Sequence, residues 1–149
     1  MRTLAALAAV GLVNAAPIAS LPGLKTNPTF KMFGGYVNYL SPLLKSQHYT
    51  YHWIVESQGD PSVDPILFWS NGGPGCSGLF GMGFEHGPFI AHADGSLTEN
   101  FFSWNKKHTV VYIEQPAGVG FSYSSVPADY EKCGYSLHPP FAPLSSRCP

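Results

Sequence analysis

Apolar residues along this chain fall into short runs separated by polar, glycine- and proline-rich stretches, and the runs follow two patterns. Gly35-Tyr36-Val37-Asn38-Tyr39 alternates as a strand with one wet face does. Tyr49-Thr50-Tyr51-His52-Trp53-Ile54-Val55-Glu56 is rich in aromatic and branched residues that suit a pleated surface, and Gly59-Asp60-Pro61 ends it. Ile66-Leu67-Phe68-Trp69 and Thr109-Val110-Val111-Tyr112-Ile113-Glu114 are apolar at nearly every position, which predicts central strands buried on both faces. Alternating strands followed by continuous apolar ones predict an α/β chain with a mixed sheet that becomes parallel.

The N-terminus has a different pattern. Met1-Arg2 is a short basic region, Leu4 to Val13 an apolar core, and Val13-Asn14-Ala15 a small-residue cleavage pattern. This predicts a secretory signal peptide over residues 1–16 and a secreted or lysosomal product. The apolar run is shorter than the roughly 20 residues a membrane span needs. The chain's 149 residues make one ordinary domain, and its net charge of −1 gives no electrostatic case for nucleic acid or an anionic membrane surface. In an oxidising compartment, three cysteines (Cys76, Cys133 and Cys148) leave at least one without an internal partner. No C-x-x-C occurs, and neither metal nor cofactor is expected.

The stretch with the clearest chemistry is Trp69-Ser70-Asn71-Gly72-Gly73-Pro74-Gly75-Cys76-Ser77-Gly78, directly after an apolar run. A glycine-dense loop at a strand end brings backbone N–H groups close to a ligand and suits an oxyanion hole. Gly73 to Gly78 also satisfies G-x-G-x-x-G, the dinucleotide fingerprint. That motif needs an amphipathic helix next, but Leu79-Phe80-Gly81-Met82-Gly83-Phe84 is too glycine-rich, and Glu99 lies in a polar turn instead of at a strand end. Two further blocks accompany the loop: Phe84-Glu85-His86-Gly87-Pro88-Phe89, and Trp104-Asn105 leading into Glu114-Gln115-Pro116-Ala117-Gly118-Val119-Gly120-Phe121-Ser122-Tyr123-Ser124. In that order the blocks resemble the serine carboxypeptidases (peptidase family S10), whose loop usually reads Asn-Gly-Gly-Pro-Gly-Cys-Ser-Ser. The resemblance spans residues 22–125 and implies the N-terminal third of an α/β-hydrolase fold. Residues 126–149, dense in Pro, Ser and Cys and without strand or helix periodicity, read as a divergent tail, either a natural linker or non-homologous sequence.

The resemblance implies release of residues from the free C-terminus of peptide substrates through an acyl-enzyme. It assigns the Gly73 N–H to the oxyanion hole and the Asn71 side chain to the substrate carboxylate. Gly72 would let that carboxylate approach, and Trp69 would support the loop. Glu85 maps onto a buried acid that shares a proton with the glutamate before the nucleophile. Cys76 would pair with a cysteine beyond the end of this chain, leaving it an orphan here unless it mispairs with Cys133 or Cys148. Two positions depart from the family pattern, Ser70 for Leu and Gly78 for Ser, and are expected to loosen packing without removing a donor. No Gly-x-Ser-x-Gly nucleophile elbow occurs, and the family's triad Asp and His follow later in its order. The chain alone is therefore expected to be inactive. Two alternatives stand beside the peptidase reading: a non-catalytic secreted binder of peptide carboxylates, and the remnant of a related acyltransferase. Without the motif, Asn71 reads as a turn residue and Glu85-His86 as a solvated pair. His48, His52, His92, His108 and His138 read as surface or satisfied polar groups, and Trp104, Asn105 and Tyr123 as packing residues.

Overall fold

In the computed structural model, residues 14–25, 27–41, 44–73 and 75–131 are described. The two alternating segments form long antiparallel strands, β2 (Met32–Leu40) and β3 (Gln47–Val55), paired from Met32↔Val55 to Leu40↔Gln47. The apolar runs become β4 (Ile66–Trp69) and β7 (Thr109–Ile113), which pair in parallel. Strand β7 lies between β3 and β4, giving the order β1-β2-β3-β7-β4. The outermost strand, β1 (Asn14–Pro17), pairs antiparallel with β2, and the short β8 (Tyr123–Ser124) pairs with β3. Between β4 and β7 the chain makes a helical turn at Gly81–Glu85, a hairpin of β5 (Phe89–Ala91) and β6 (Leu97–Glu99), and a short 3-10 turn at Trp104–Lys106. The polar turn at Asp94–Glu99 thus joins, and partly forms, a hairpin that its sequence pattern did not suggest.

The strand period of two sorts β7 onto two unequal faces. Val110 and Tyr112 join Met32, Val55 and Phe89 in the main core, which the crossover covers with Leu79, Met82 and Leu97. Val111 faces the other way with Ile54 and Phe33, and this second cluster is thin. The edge position of β4 corrects the expectation of burial on both faces. Leu67 and Trp69 are half-buried, but Ile66 and Phe68 are exposed, Phe68 at 61%. The run is continuous in apolar character, yet nothing among the described residues covers its second face.

The described residues reach into both flanking segments. Residues 1–13 of the expected leader lie outside the described residues, while Asn14–Ala16 pair with Gly34–Tyr36. At the other end the packed chain continues past Ser125 into a 3-10 turn at Pro127–Glu131. The cause is Asp129, a buried carboxylate that accepts from Ser124 Oγ at 2.6 Å and from Ser46 Oγ, with His48 Nε2 3.3 Å away. Those bonds hold its carboxyl below the usual carboxylate range, the Ser124 bond most of all. A single anchoring charge leaves no periodic trace in sequence.

Two substitutions test this description. Tyr112 is fully buried, its hydroxyl finds no partner among the described residues, and burial pushes its ionisation well above the ordinary range. Removing an unsatisfied buried hydroxyl relieves a desolvation cost, so Tyr112→Phe should raise stability by about 1 kcal/mol in urea titration. Phe68→Glu should reduce self-association in sedimentation and leave the melting temperature within about 2 °C, because an exposed edge residue contributes little burial. A large loss of melting temperature would place Phe68 in the core.

Candidate functional site

Because β4 and β7 run parallel, their C-terminal ends lie side by side and the loops that follow them meet. The loop after β4 carries Ser70 to Gly78, and the loop after β7 carries Glu114 to Ser122. At the first residue of the glycine loop, Gln115 Nε2 donates to Ser70 Oγ at 3.2 Å. Ser70, expected only to loosen packing, thus holds a cross-loop bond. Near the other end Ser77 Oγ donates to Glu114 Oε1. Gly78 is buried so close to β7 that a Cβ would lie 2.4 Å from the Ile113 carbonyl oxygen. Glycine there lets the loop approach the strand, which corrects the expectation that losing the family's serine loosens the site.

Trp69 ends β4, and its indole N–H donates to Asn71 Oδ1 at 2.7 Å. That bond occupies the amide oxygen, so the Asn71 NH₂ faces away from the indole and remains a donor. The next two residues, Gly72 and Gly73, are exposed. Gly73 has φ +125°, a conformation L side chains rarely adopt. Gly72 has neither constraint: a Cβ there would meet nothing within 4 Å. The chain itself gives no reason for glycine at 72, whereas close approach of a molecule from outside would.

Behind the loop, Trp69 packs edge-on against His86, ring centres 4.3 Å apart, and His86 lies 3.9 Å from the Trp104 ring. Asn105 beside it is fully buried and donates to the Glu56 carbonyl at 3.1 Å. These are packing roles, as the sequence suggested for Trp104 and Asn105. Glu85 is placed differently from its expected buried position, with its side chain 56% exposed and 3.8 Å from His86 Nδ1. The described residues put no second carboxylate over it. Cys76 is disulfide-bonded, so it is not an orphan thiol. Cys133, Cys148 and His138 lie outside the described residues.

A Ser–His–Asp group does occur, but its geometry excludes nucleophile activation. Ser46 Oγ and Asp129 both contact His48 through the same nitrogen, Nε2, and all three are buried. A triad needs the acid and the hydroxyl on opposite ring nitrogens. His48 is thus a satisfied polar group. His52 is buried, and among the described residues neither ring nitrogen has a hydrogen-bond partner, contrary to the surface or satisfied reading. Among the described residues no group of three His, Cys, Asp or Glu side chains could hold a metal ion, and no helix is long and apolar enough to cross a membrane. Sequence reasoning passed over Ser77 and Glu114. The signal was a glutamate closing an otherwise apolar strand, since fully buried acids are rare unless bonded.

The loop thus presents an amide NH₂ and exposed glycine N–H groups at the C-terminal end of a parallel strand pair, an arrangement that can bind an oxyanion or a carboxylate. The sheet that carries it is an incomplete α/β-hydrolase fold. It superposes with TM-score 0.59 and 33% identity on the crystal structure of Kex1(Δ)p, a prohormone-processing carboxypeptidase from Saccharomyces cerevisiae, covering 76% of this chain and 25% of that one. The serine carboxypeptidase family model matches residues 22–135, ten residues past the expected boundary at 125, and the chain belongs to that family. It is 50% identical over 108 residues to the lysosomal protective protein of Mus musculus, covering 72% of this chain and 22% of the relative. It is 44% identical over 114 residues to the serine carboxypeptidase ctsa-3.1 of Caenorhabditis elegans, covering 76% and 19%. The chain thus spans about a fifth of the length of these relatives.

Burial lowers the pKa of His52 and His86 below the ordinary 6.5; for His86, nearby Glu85 offsets part of the effect. Both stay neutral in the folded chain while the unfolded chain takes up protons. Their contribution to stability is complete above pH 6.5 and declines as pH falls below it toward the folded values. The urea midpoint should therefore be higher at pH 7.5 than at pH 5.5, with a shallower slope in His52→Phe. A flat profile across that interval would mean that these rings titrate as if exposed.

Proposed function

We propose that this chain supplies the oxyanion and carboxylate-reading part of a serine-type carboxypeptidase site. The Gly73 N–H would meet the developing oxyanion, and the Asn71 amide would donate to the free C-terminal carboxylate of a peptide. Gly72 would leave room for that carboxylate, and Trp69 would orient the amide. Glu85, exposed here, would acquire its acid partner only from a segment carrying the nucleophile. The observation that carries this reading is the Trp69–Asn71 bond of 2.7 Å beside the unconstrained glycine at 72. Such a bond fixes a donor in place, which a mere turn asparagine would not need.

The same reading assigns this chain binding without turnover. Its sequence has no Gly-x-Ser-x-Gly, and Ser46, His48 and Asp129 lack triad geometry. A secretory route to a lysosome-like compartment fits the expected leader and relatives named lysosomal and vacuolar. Purified chain should give no hydrolysis of a blocked dipeptide and no stoichiometric labelling by a serine-directed phosphonate. Labelling that persists in a Ser77→Ala, Ser122→Ala double variant would overturn that assignment. In a longer chain that carries these residues and a nucleophile, Asn71→Ala should cost peptide acids about tenfold or more in kcat/KM relative to their C-terminal amides. Equal losses for acid and amide would reduce Asn71 to a turn residue.

A further inference from the structure

We propose that Glu114 is the positioning residue of the glycine loop, bridging it to the turn after β7 and thereby setting where the Asn71–Gly73 donors point. This rests on the reading of that loop as an anion site. Glu114 is fully buried at the end of β7. Its two carboxylate oxygens serve different segments: Oε1 accepts from Ser77 Oγ, and Oε2 accepts from the Phe121 N–H at 2.5 Å. Its main chain is fixed as well, since its N–H donates to the Tyr51 carbonyl at 3.0 Å and its carbonyl accepts from Ser122 Oγ at 2.6 Å. Among the described residues no cation pairs with it, so these donors are what hold a buried acid in place. Gly120 shows that the space is reserved, because a Cβ there would lie 1.9 Å from Glu114 Oε2.

The bridge matters to the site because, beside the Cys76 disulfide, it is the side-chain link between the end of the glycine loop and the loop after β7. Its first residues are held through Ser70 and Asn71, and its last through the Cys76 disulfide, Ser77 and Gly78. Between them stand the exposed glycines at 72 and 73. Freeing Ser77 would let those N–H groups reorient without disturbing β7, whose core contacts are independent of the carboxylate. A short side chain cannot bridge the two segments, whereas glutamine retains an acceptor for the Phe121 N–H and a donor for Ser77 Oγ.

The test uses the isotopically labelled 149-residue chain and one peptide in two forms, the C-terminal acid and the C-terminal amide. Ser77→Ala cuts the bridge from the loop side at little risk to folding. It should shift or broaden the Asn71–Gly73 amide signals and lower the acid-over-amide affinity ratio about tenfold. Exchange protection of Val110 and Val111 in β7 should stay within about twofold. Glu114→Ala should add faster exchange at Phe121, and Glu114→Gln should restore most of the loop signals. Loop signals and affinity ratio unchanged in Ser77→Ala, or a Glu114→Ala effect spread evenly over all amides, would overturn the proposal. A wild-type chain that binds acid and amide alike would count against the carboxylate reading alone, and the loop signals would still decide the bridge.

Discussion

Parallel pairing of β4 with β7 is the constraint on which the rest depends. Parallel neighbours need a long crossover between them, and here it runs from residue 70 to residue 108, carrying the glycine loop, the helical turn and the β5–β6 hairpin. Two consequences follow from the same geometry. The crossover packs on one face, so Leu79, Met82, Phe89 and Leu97 build the main core there. The strand ends coincide, so a loop after one strand can be stitched to the loop after the other. Antiparallel pairing of the two strands would have placed those loops at opposite ends of the sheet.

The two sheet faces therefore have different physics. One is filled by the crossover and carries the aromatic set of Trp69, His86, Trp104 and Tyr112. The other is apolar but thinly covered, and His52 sits there beside Ile54 and Val111 with no hydrogen-bond partner among the described residues. Relatives of which the matched segment is only about a fifth have further sequence with which to cover such a face, as parallel strands in α/β proteins require. Within this chain Phe68 on that face is exposed, while His52, Ile54 and Val111 are buried.

Much of this was legible in the sequence because period and composition report on local structure. The extents of β4 and β7 match their apolar runs to within one residue, and the alternation of Gly35–Tyr39 marks the middle of β2. The glycine loop was legible because its residue types are costly elsewhere. What escaped depends on partners distant in sequence. Asp129 is anchored by Ser46, 83 residues away, and Ser77 meets Glu114 across 37 residues. Burial of β4 was misjudged for a related reason: a residue's apolar character states what it can bury, and only neighbours decide what it does bury. Glu85 shows the same limit, since the resemblance assigns it a buried place and in this chain its side chain is 56% exposed.

The two-ended fastening of the glycine loop has an entropic side. A flexible loop of this length would lose conformational freedom on every binding event, and each ordered residue would subtract from affinity. Here that ordering belongs to the folding of the chain, through the indole at one end and the carboxylate at the other. An anion bound as proposed would then give up chiefly its own freedom and its hydration shell. Even weak donors such as backbone amides can hold a ligand under those terms.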